Sequence, residues 1–155
     1  MSKKTSEYPH KRLFKTDFME KFSFVRPTTP FVLYLPLIIF FLIWGNGNLG
    51  EKIGSFFCGI FFWRLTEYLL HRFVFHFEAK SKLGKRFFYL VHGIHHDDPQ
   101  DPLRLVAPPI MSLTFGSPFV LVFWLVIPES YFYGFTCGFF LGYLIYDFSH
   151  FYVHH

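Results

Sequence analysis

The chain has 155 residues, of which 52% are hydrophobic and 24% aromatic, with 25 phenylalanines. A soluble domain of this length has too little interior to bury so much apolar side chain, so the composition excludes an ordinary soluble domain and indicates a membrane protein. The net charge of +4 is modest, so no nucleic-acid partner is expected, and the two cysteines, Cys58 and Cys137, lie in apolar runs that provide no disulfide framework and no Cys-x-x-Cys metal site.

Residues 1–30 form a polar, basic segment, and residues 31–155 contain four apolar stretches. As helices these stretches would measure roughly 24 to 34 Å, close to the ~30 Å hydrocarbon core of a bilayer. Lipid requires helices because unpaired backbone groups are too costly there, and no period-two alternation suggests a barrel. We therefore predict an all-α integral membrane protein with four transmembrane helices, one from each of the apolar stretches 31–49, 53–70, 105–127 and 131–146.

Two short turns, WGNGNLG (44–50) and IPES (127–130), are predicted to join these helices into two hairpins. Lys52 is the single basic residue near the turns, whereas seven basic residues precede the first stretch and six lie between the second and third. The positive-inside rule therefore predicts that the N-terminus, the central loop and the C-terminus all face the cytoplasm.

Eight of the nine histidines fall into three groups, each directly outside the same predicted membrane face, while His10 stands apart. Residues three and four apart share a face of a helix, so the second group can point one way, and the third contains a pair four residues apart. The five-residue step in the first group indicates a helix end or a local bulge. The groups are His71 and His76; His92, His95 and His96; and His150, His154 and His155.

The three groups predict a cytosolic, histidine-rich, metal-binding cap. One tetrahedral zinc site uses three or four histidines, so eight favour two metal ions. Imidazole suits iron, zinc, copper and nickel, and two such ions beside an apolar phase suit oxygen activation and oxidation of a lipid C–H bond. Glu67, four residues before His71, and Asp147, three before His150, could each accept an imidazole N–H and orient that ring toward metal.

Several segments resemble one known family. HRFVFH (71–76), HGIHHDDPQDPLRLVAPP (92–109) and YDFSHFYVHH (146–155) resemble the fatty acid hydroxylase/sterol desaturase superfamily. The RLVAPP run within the second segment is typical of its fatty acid 2-hydroxylase branch, and RLFKTDFMEKF (12–22) is similar to the same branch.

The resemblance implies a membrane oxidoreductase with two iron ions, for which zinc can substitute. It would use O2 and two electrons to hydroxylate a long fatty acyl chain at C2, often one destined for sphingolipid. A haem motif of the HPGG type is absent from the N-terminal segment, so the electrons are expected from a separate cytochrome b5-like or ferredoxin donor. The implied metal ligands are His71, His76, His92, His95, His96, His150 and His154, and His155 matches the motif.

The family pattern continues past the third segment to a further HxxHH that completes the metal site. Residues 31–155 are therefore expected to form a hydroxylase domain that is incomplete at its C-terminus. We therefore expect the chain alone to bind metal weakly or at a single site and to have little activity.

Other functions stay open at this point. Related scaffolds carry out desaturation, sterol or carotenoid hydroxylation and ether-lipid cleavage, although RLVAPP favours the 2-hydroxylase. Paired histidines could also bind haem. A metal transporter or sensor is disfavoured, because it would need ligands near the bilayer midplane and the middles of the four stretches lack His, Asp and Glu.

Overall fold

The computed structural model describes residues 13–97 and 101–154, without the side chains of His92, His95 and His154. Every regular element in these ranges is helical, as predicted. The helices are α1 (Asp17–Lys21), α2 (Thr29–Trp44), α3 (Leu49–Leu69), α4 (Lys82–Phe88), α5 (Ile94–Asp97), α6 (Pro109–Val126) and α7 (Glu129–His154), with π-helical segments at Leu70–Phe75 and Tyr89–Gly93.

Local sequence explains where the long helices begin. The Asn48 side chain accepts from the backbone N–H of Glu51, whose carboxylate accepts from the Asn48 N–H, so a capping box starts α3. Pro109 starts α6, at a position where a missing N–H is harmless. The predicted turns are confirmed, because helix is interrupted between Trp44 and Leu49 and between Val126 and Glu129.

Helix α7 is the centre of the bundle, and α2, α3 and α6 all pack against it. Small residues let α3 and α7 approach closely. A Cβ atom added to Gly59 would overlap the carbonyl oxygen of Phe135, and one added to Gly138 would overlap that of Phe56. The absence of side chains at these glycines therefore sets how closely the two backbones approach, as in membrane helix pairs.

Aromatic rings fill the rest of the core. The fully buried Phe139 on α7 lies 5.0 Å from Trp63 and 4.9 Å from Phe123, measured between ring centroids in edge-to-face contacts. Tyr34 of α2 packs on Phe140 of the same central helix at 4.9 Å. These contacts join all four long helices into one core.

Among the residues that the structure describes, two helical segments have the length and composition needed to cross a membrane, namely Leu49–Phe75 with 27 residues and Pro109–Val126 with 18. In the most apolar 18 residues of each segment, only 17% are buried in the first and 6% in the second. The core helix of a soluble protein is mostly buried. Helix Thr29–Trp44 is apolar but shorter. The outward apolar surface is that of a membrane protein.

Several predicted boundaries are wrong. The third stretch was expected from 105, but α6 begins at Pro109, because a residue that precedes proline is disfavoured in helix. The first apolar stretch extends to 49, but α2 ends at Trp44, where the predicted turn begins. The fourth was expected to end at 146, but α7 continues past His150 to His154. Helices α1 and α4 lie in segments for which the sequence analysis predicted no element.

Candidate metal site at one end of the helix bundle

All three histidine groups lie at the same end of the bundle because of how the long helices run. Phe41 of α2 contacts Phe132 near the start of α7, while Phe31 contacts Phe148 near its end, so α2 and α7 are antiparallel. Helix α6 is also antiparallel to α7, as the contact of Phe123 with Phe135 and that of Phe119 with Phe139 indicate. The starts of α2 and α6 therefore meet the end of α7.

Helix α3 runs parallel to α7 in a constant register. Gly134 lies against Ser55 and Gly142 against Trp63, and the two residues are 79 positions apart in both pairs. The same separation aligns the end of α3 with the end of α7 and puts His71 level with His150. The first and third histidine groups are thus carried to one level by the glycine-lined interface.

The first group is held by the π-helical segment Leu70–Phe75, which follows α3 without a break. A π-turn closes i→i+5 hydrogen bonds and so brings His71 and His76 to the same side, whereas an α-helix would separate them. Their Nε2 atoms are 3.1 Å apart and their ring centroids 4.9 Å apart. The bulge predicted from the five-residue step is confirmed.

The second group contacts the first. Segment Leu70–Phe75 packs against the second π-helical segment, Tyr89–Gly93, and the His96 ring that follows lies 5.1 Å from the His76 ring between centroids. The Tyr89 hydroxyl donates to the Asp97 carboxylate at 2.7 Å and closes the turn that carries this group. The backbones of His92 and His95 lie in this turn, but their side chains are outside the described residues.

The third group is partly described. His150 stacks on Tyr146 one turn before it, with ring centroids 5.6 Å apart and an interplanar angle of 20°. Tyr146 in turn contacts Trp63 of α3. The side chain of His154 and the whole of His155 lie outside the described residues.

The two carboxylates named from the sequence lie in different surroundings. Glu67 is within electrostatic range of both His71 and Tyr146 and forms an ion pair with Arg64 at 3.7 Å. Asp147, which follows the apolar part of α7, is only 7% exposed, and within the described ranges its Oδ2 atom accepts no hydrogen bond. Burial raises the pKa of the Asp147 carboxyl to about 7.

The histidines fit a metal ion by their chemistry and by one distance. Two nitrogens bound to one ion at about 2.1 Å, with an angle near 90 to 109°, lie roughly 3.0 to 3.4 Å apart, and the Nε2 atoms of His71 and His76 are 3.1 Å apart. Within residues 13–97 and 101–154, no group of three or more His, Cys, Asp or Glu side chains is arranged closely enough to hold an ion. The described nitrogen donors are thus those of His71 and His76, with the His96 ring beside them.

A buried ionic cluster that was not predicted from the sequence lies at this same end. Arg104 was counted among the basic residues of the cytoplasmic loop, yet its side chain is only 3% exposed and contacts Glu20 and Asp101. The signal was present, because Arg104 lies in RLVAPP and Glu20 in RLFKTDFMEKF, the two runs similar to the same family branch. Only the fold brings residues 84 positions apart into contact.

Comparison with known proteins gives a consistent result. A family model described as fatty acid hydroxylase matches residues 56–155. A dihydroceramide fatty acyl 2-hydroxylase of Arabidopsis thaliana is 36% identical over 97% of this chain and 64% of its own length. The fatty acid 2-hydroxylase of Homo sapiens is 32% identical over 92% of this chain and 45% of its own.

A solved structure, that of full-length scs7p with only its hydroxylase domain visible, superposes with a TM-score of 0.86. It is 33% identical, and the match covers 90% of this chain and 55% of that one. The chain thus spans less than two thirds of the length of the relatives just named. The predicted resemblance to the 2-hydroxylase branch is confirmed.

Proposed function

The chain belongs to the fatty acid hydroxylase family, and on that premise we propose that the protein hydroxylates a long-chain fatty acyl group at C2 in sphingolipid-type metabolism. One observation carries the proposal beyond family membership. Imidazoles from two separate groups, His71 and His76 on one side and His96 on the other, meet at the end of an apolar helix bundle. Nitrogen donors beside apolar surface suit oxidation of a lipid.

The cofactor we propose is a pair of iron ions, for which zinc can substitute. Iron supplies activation of O2, with the oxidising power that an unactivated C–H bond demands and that no side chain possesses. The residues proposed to hold the ions are His71, His76, His92, His95, His96, His150, His154 and His155.

The two carboxylates are proposed to orient ligands. Glu67 can accept the N–H of the His71 ring, which would leave the other nitrogen for metal. Asp147 lies one helical turn before His150, and its buried Oδ2 atom can accept a hydrogen bond from an imidazole N–H. Each residue would act through its histidine, and neither is assigned a contact with substrate.

For the membrane topology we propose four spanning segments, supplied by α2, α3, α6 and α7. The histidine end of the bundle, the N-terminus and the C-terminus would then face the cytoplasm. The excess of Lys and Arg at that end supports this orientation. The exposed apolar side chains of α6, such as Ile110, Trp124 and Leu125, would then contact lipid.

The bilayer would deliver the acyl chain directly. A cavity of about 420 Å³ between α2, α6 and α7 is lined mainly by apolar side chains, including Leu37, Val120 and Phe140, and Tyr34 lines it as well. Such a cavity has the size and lining of a lipid-chain site. Two of the relatives, from Arabidopsis thaliana and Saccharomyces cerevisiae, are named for dihydroceramide and ceramide acyl hydroxylation, which suggests a sphingolipid-bound acyl chain as substrate.

Electrons would come from a separate cytochrome b5-like or ferredoxin donor that approaches from the cytoplasm. His76 and His96 are exposed, and in the proposed topology their rings would lie on the water-facing side of the site, where a soluble donor could reach it.

The test compares lipids from cells with and without the complete gene that contains this chain, in a host that makes no 2-hydroxy acids. After acid hydrolysis, mass spectrometry should detect 2-hydroxy acids only with the gene, and a His76→Ala version should abolish them. A double bond, a hydroxylated sterol or a hydroxyl at another carbon would contradict the proposed reaction. The His10→Ala version is the control, because His10 stands apart from the three groups.

A further inference from the structure

A buried arginine joins the N-terminal segment to the loop that follows the second histidine group. Arg104 Nη2 lies 2.8 Å from Glu20 Oε1, and Arg104 Nε lies 3.6 Å from Asp101 Oδ2. Its guanidinium also lies over the ring of Phe24, 4.7 Å from the centroid. All three charged side chains are largely removed from solvent, with exposures of 3%, 13% and 1% for Arg104, Glu20 and Asp101.

The N-terminal side of the cluster is organised around the same carboxylate. Glu20 Oε2 accepts the backbone N–H groups of Leu13 and Phe14 at 2.9 and 2.7 Å. Close by, the backbone N–H of Val25 donates to Leu103 O at 2.8 Å, and the Val25 side chain is only 4% exposed. One carboxylate therefore folds residues 13–20 and fastens them to Arg104.

The loop side of the cluster leads to the candidate metal site. The turn that carries the second histidine group is closed at Asp97 by Tyr89, and Asp101 and Arg104 follow within a few residues. Leu105 and Val106, next along the chain, are also buried. From Asp101 onward, the chain that follows this turn is therefore held by a charged contact with a distant segment and not by the bundle alone.

We propose that residues 13–26 form a clamp, locked by the Glu20–Arg104–Asp101 cluster, that positions the second histidine group for metal binding, with Arg104 as the positioning residue. The hydrogen bond to Glu20 fixes the orientation of the guanidinium because its planar fork has defined donor directions, and the Asp101 carboxylate adds an ion pair on the Nε side. A buried charge that loses its partner is strongly unfavourable, so the clamp is stable only when Arg104 contacts Glu20 and Asp101. The existence of the clamp does not depend on the proposed function. The positioning role of Arg104 rests on that proposed function.

The closed state can be measured by thiol labelling of the full chain in detergent micelles. Val25→Cys puts a thiol at the buried junction, and the background rate comes from the same chain without this substitution. A water-soluble maleimide should label it at least about tenfold faster when Arg104→Gln is added, because labelling follows the population of the open clamp. Arg86→Gln, an exposed arginine in α4, is the matched control and should leave the rate unchanged.

A double-mutant cycle identifies the contact. Glu20→Gln and Arg104→Gln should each accelerate labelling, and the double variant should label about as fast as Arg104→Gln alone, because both changes break one interaction. Arg104→Lys, which keeps the charge and loses the fork, should label at an intermediate rate. Unchanged labelling in Arg104→Gln would overturn the clamp.

The positioning role has a separate readout, the visible absorption spectrum of bound Co²⁺. Arg104→Gln should shift the bands and weaken Co²⁺ binding about tenfold, the effect typical of losing an outer contact that orients a ligand, at unchanged helical content by circular dichroism. Arg86→Gln should reproduce the parent spectrum. Fast labelling with an unaltered Co²⁺ spectrum would leave a clamp that positions nothing. No Co²⁺ binding by the parent chain would overturn the proposed metal site and the positioning role together, while the labelling result would still decide the clamp.

Discussion

The interface between α3 and α7 and the histidine end of the same helices are built in opposite ways. The interface is made from glycines and aromatic rings, with backbones in direct contact at Gly59 and Gly138. The histidine end is made from π-helical turns, partly exposed imidazoles and single polar contacts. We therefore expect the bundle to fold without metal, whereas the geometry of the site depends on a few side chains. Damage to one region should be separable from damage to the other.

The largest effect should come from filling the glycine interface. Gly59→Ala would place a methyl group against the carbonyl oxygen of Phe135 and within 2.8 Å of the Phe139 nitrogen. The helices must separate, so we expect a loss of about 3 kcal/mol in the free energy of unfolding, measured by denaturation in detergent.

Gly54→Ala is the matched control on the same helix, because a Cβ atom there would meet nothing within 4 Å. Both substitutions raise helix propensity equally, so the difference between their free energies of unfolding reports only the overlap of the methyl group added at Gly59 with α7. Equal stability of the two variants would contradict the close packing.

Changes at the histidine end should spare the fold and remove metal. His76→Ala takes away the ring that contacts both His71 and His96. We expect Co²⁺ or Fe²⁺ affinity to fall by at least about 100-fold, more than the loss of an outer hydrogen-bond partner costs, with the unfolding midpoint of the metal-free protein unchanged. Isothermal titration and circular dichroism would measure the two effects. Retained affinity would remove His76 from the site.

A smaller effect is expected where α2 and α6 meet. The Tyr34 and Ser112 hydroxyls are 2.6 Å apart and form a hydrogen bond between these helices. Tyr34→Phe should lower the free energy of unfolding by about 1 kcal/mol. Tyr131→Phe, at a half-exposed ring, is the control and should change nothing measurable. If Tyr34→Phe left the free energy of unfolding unchanged, the two helices would associate through apolar contacts alone.

A dependence on pH is expected at Asp147. Because burial raises the pKa of this carboxyl to about 7, the folded chain keeps its proton where the unfolded chain has lost it. That contribution to stability is complete below the ordinary carboxyl pKa of 3.8 and is lost as the pH rises to about 7. Asp147→Asn keeps a neutral side chain, so its unfolding temperature relative to the parent should be higher at pH 8 than at pH 5.

Glu78→Gln, an exposed carboxyl, is the reference for that measurement. A difference that stays constant between the two pH values would show that Asp147 titrates normally in the folded protein.

Sequence alone determined the helical class, the turns at 44–50 and 127–130 and the bulge between His71 and His76. These features depend on local properties, namely apolar runs, turn residues and a five-residue step, and each can be derived within a short window. Helix ends were less predictable. Whether α7 stops at 146 or continues to His154 depends on packing with α3, which no window contains.

Tertiary structure alone decided which distant residues meet. The 79-residue register of α3 and α7 arises from glycines that fit only when the two helices are already side by side. The Glu20–Arg104 pair joins segments 84 residues apart, and in the sequence Arg104 looked like one more cytoplasmic positive charge. A guanidinium that is removed from water needs carboxylate partners, because an unpaired buried charge is strongly unfavourable. The fold alone brings Glu20 and Asp101 to Arg104 and so makes its charge part of a buried ionic contact.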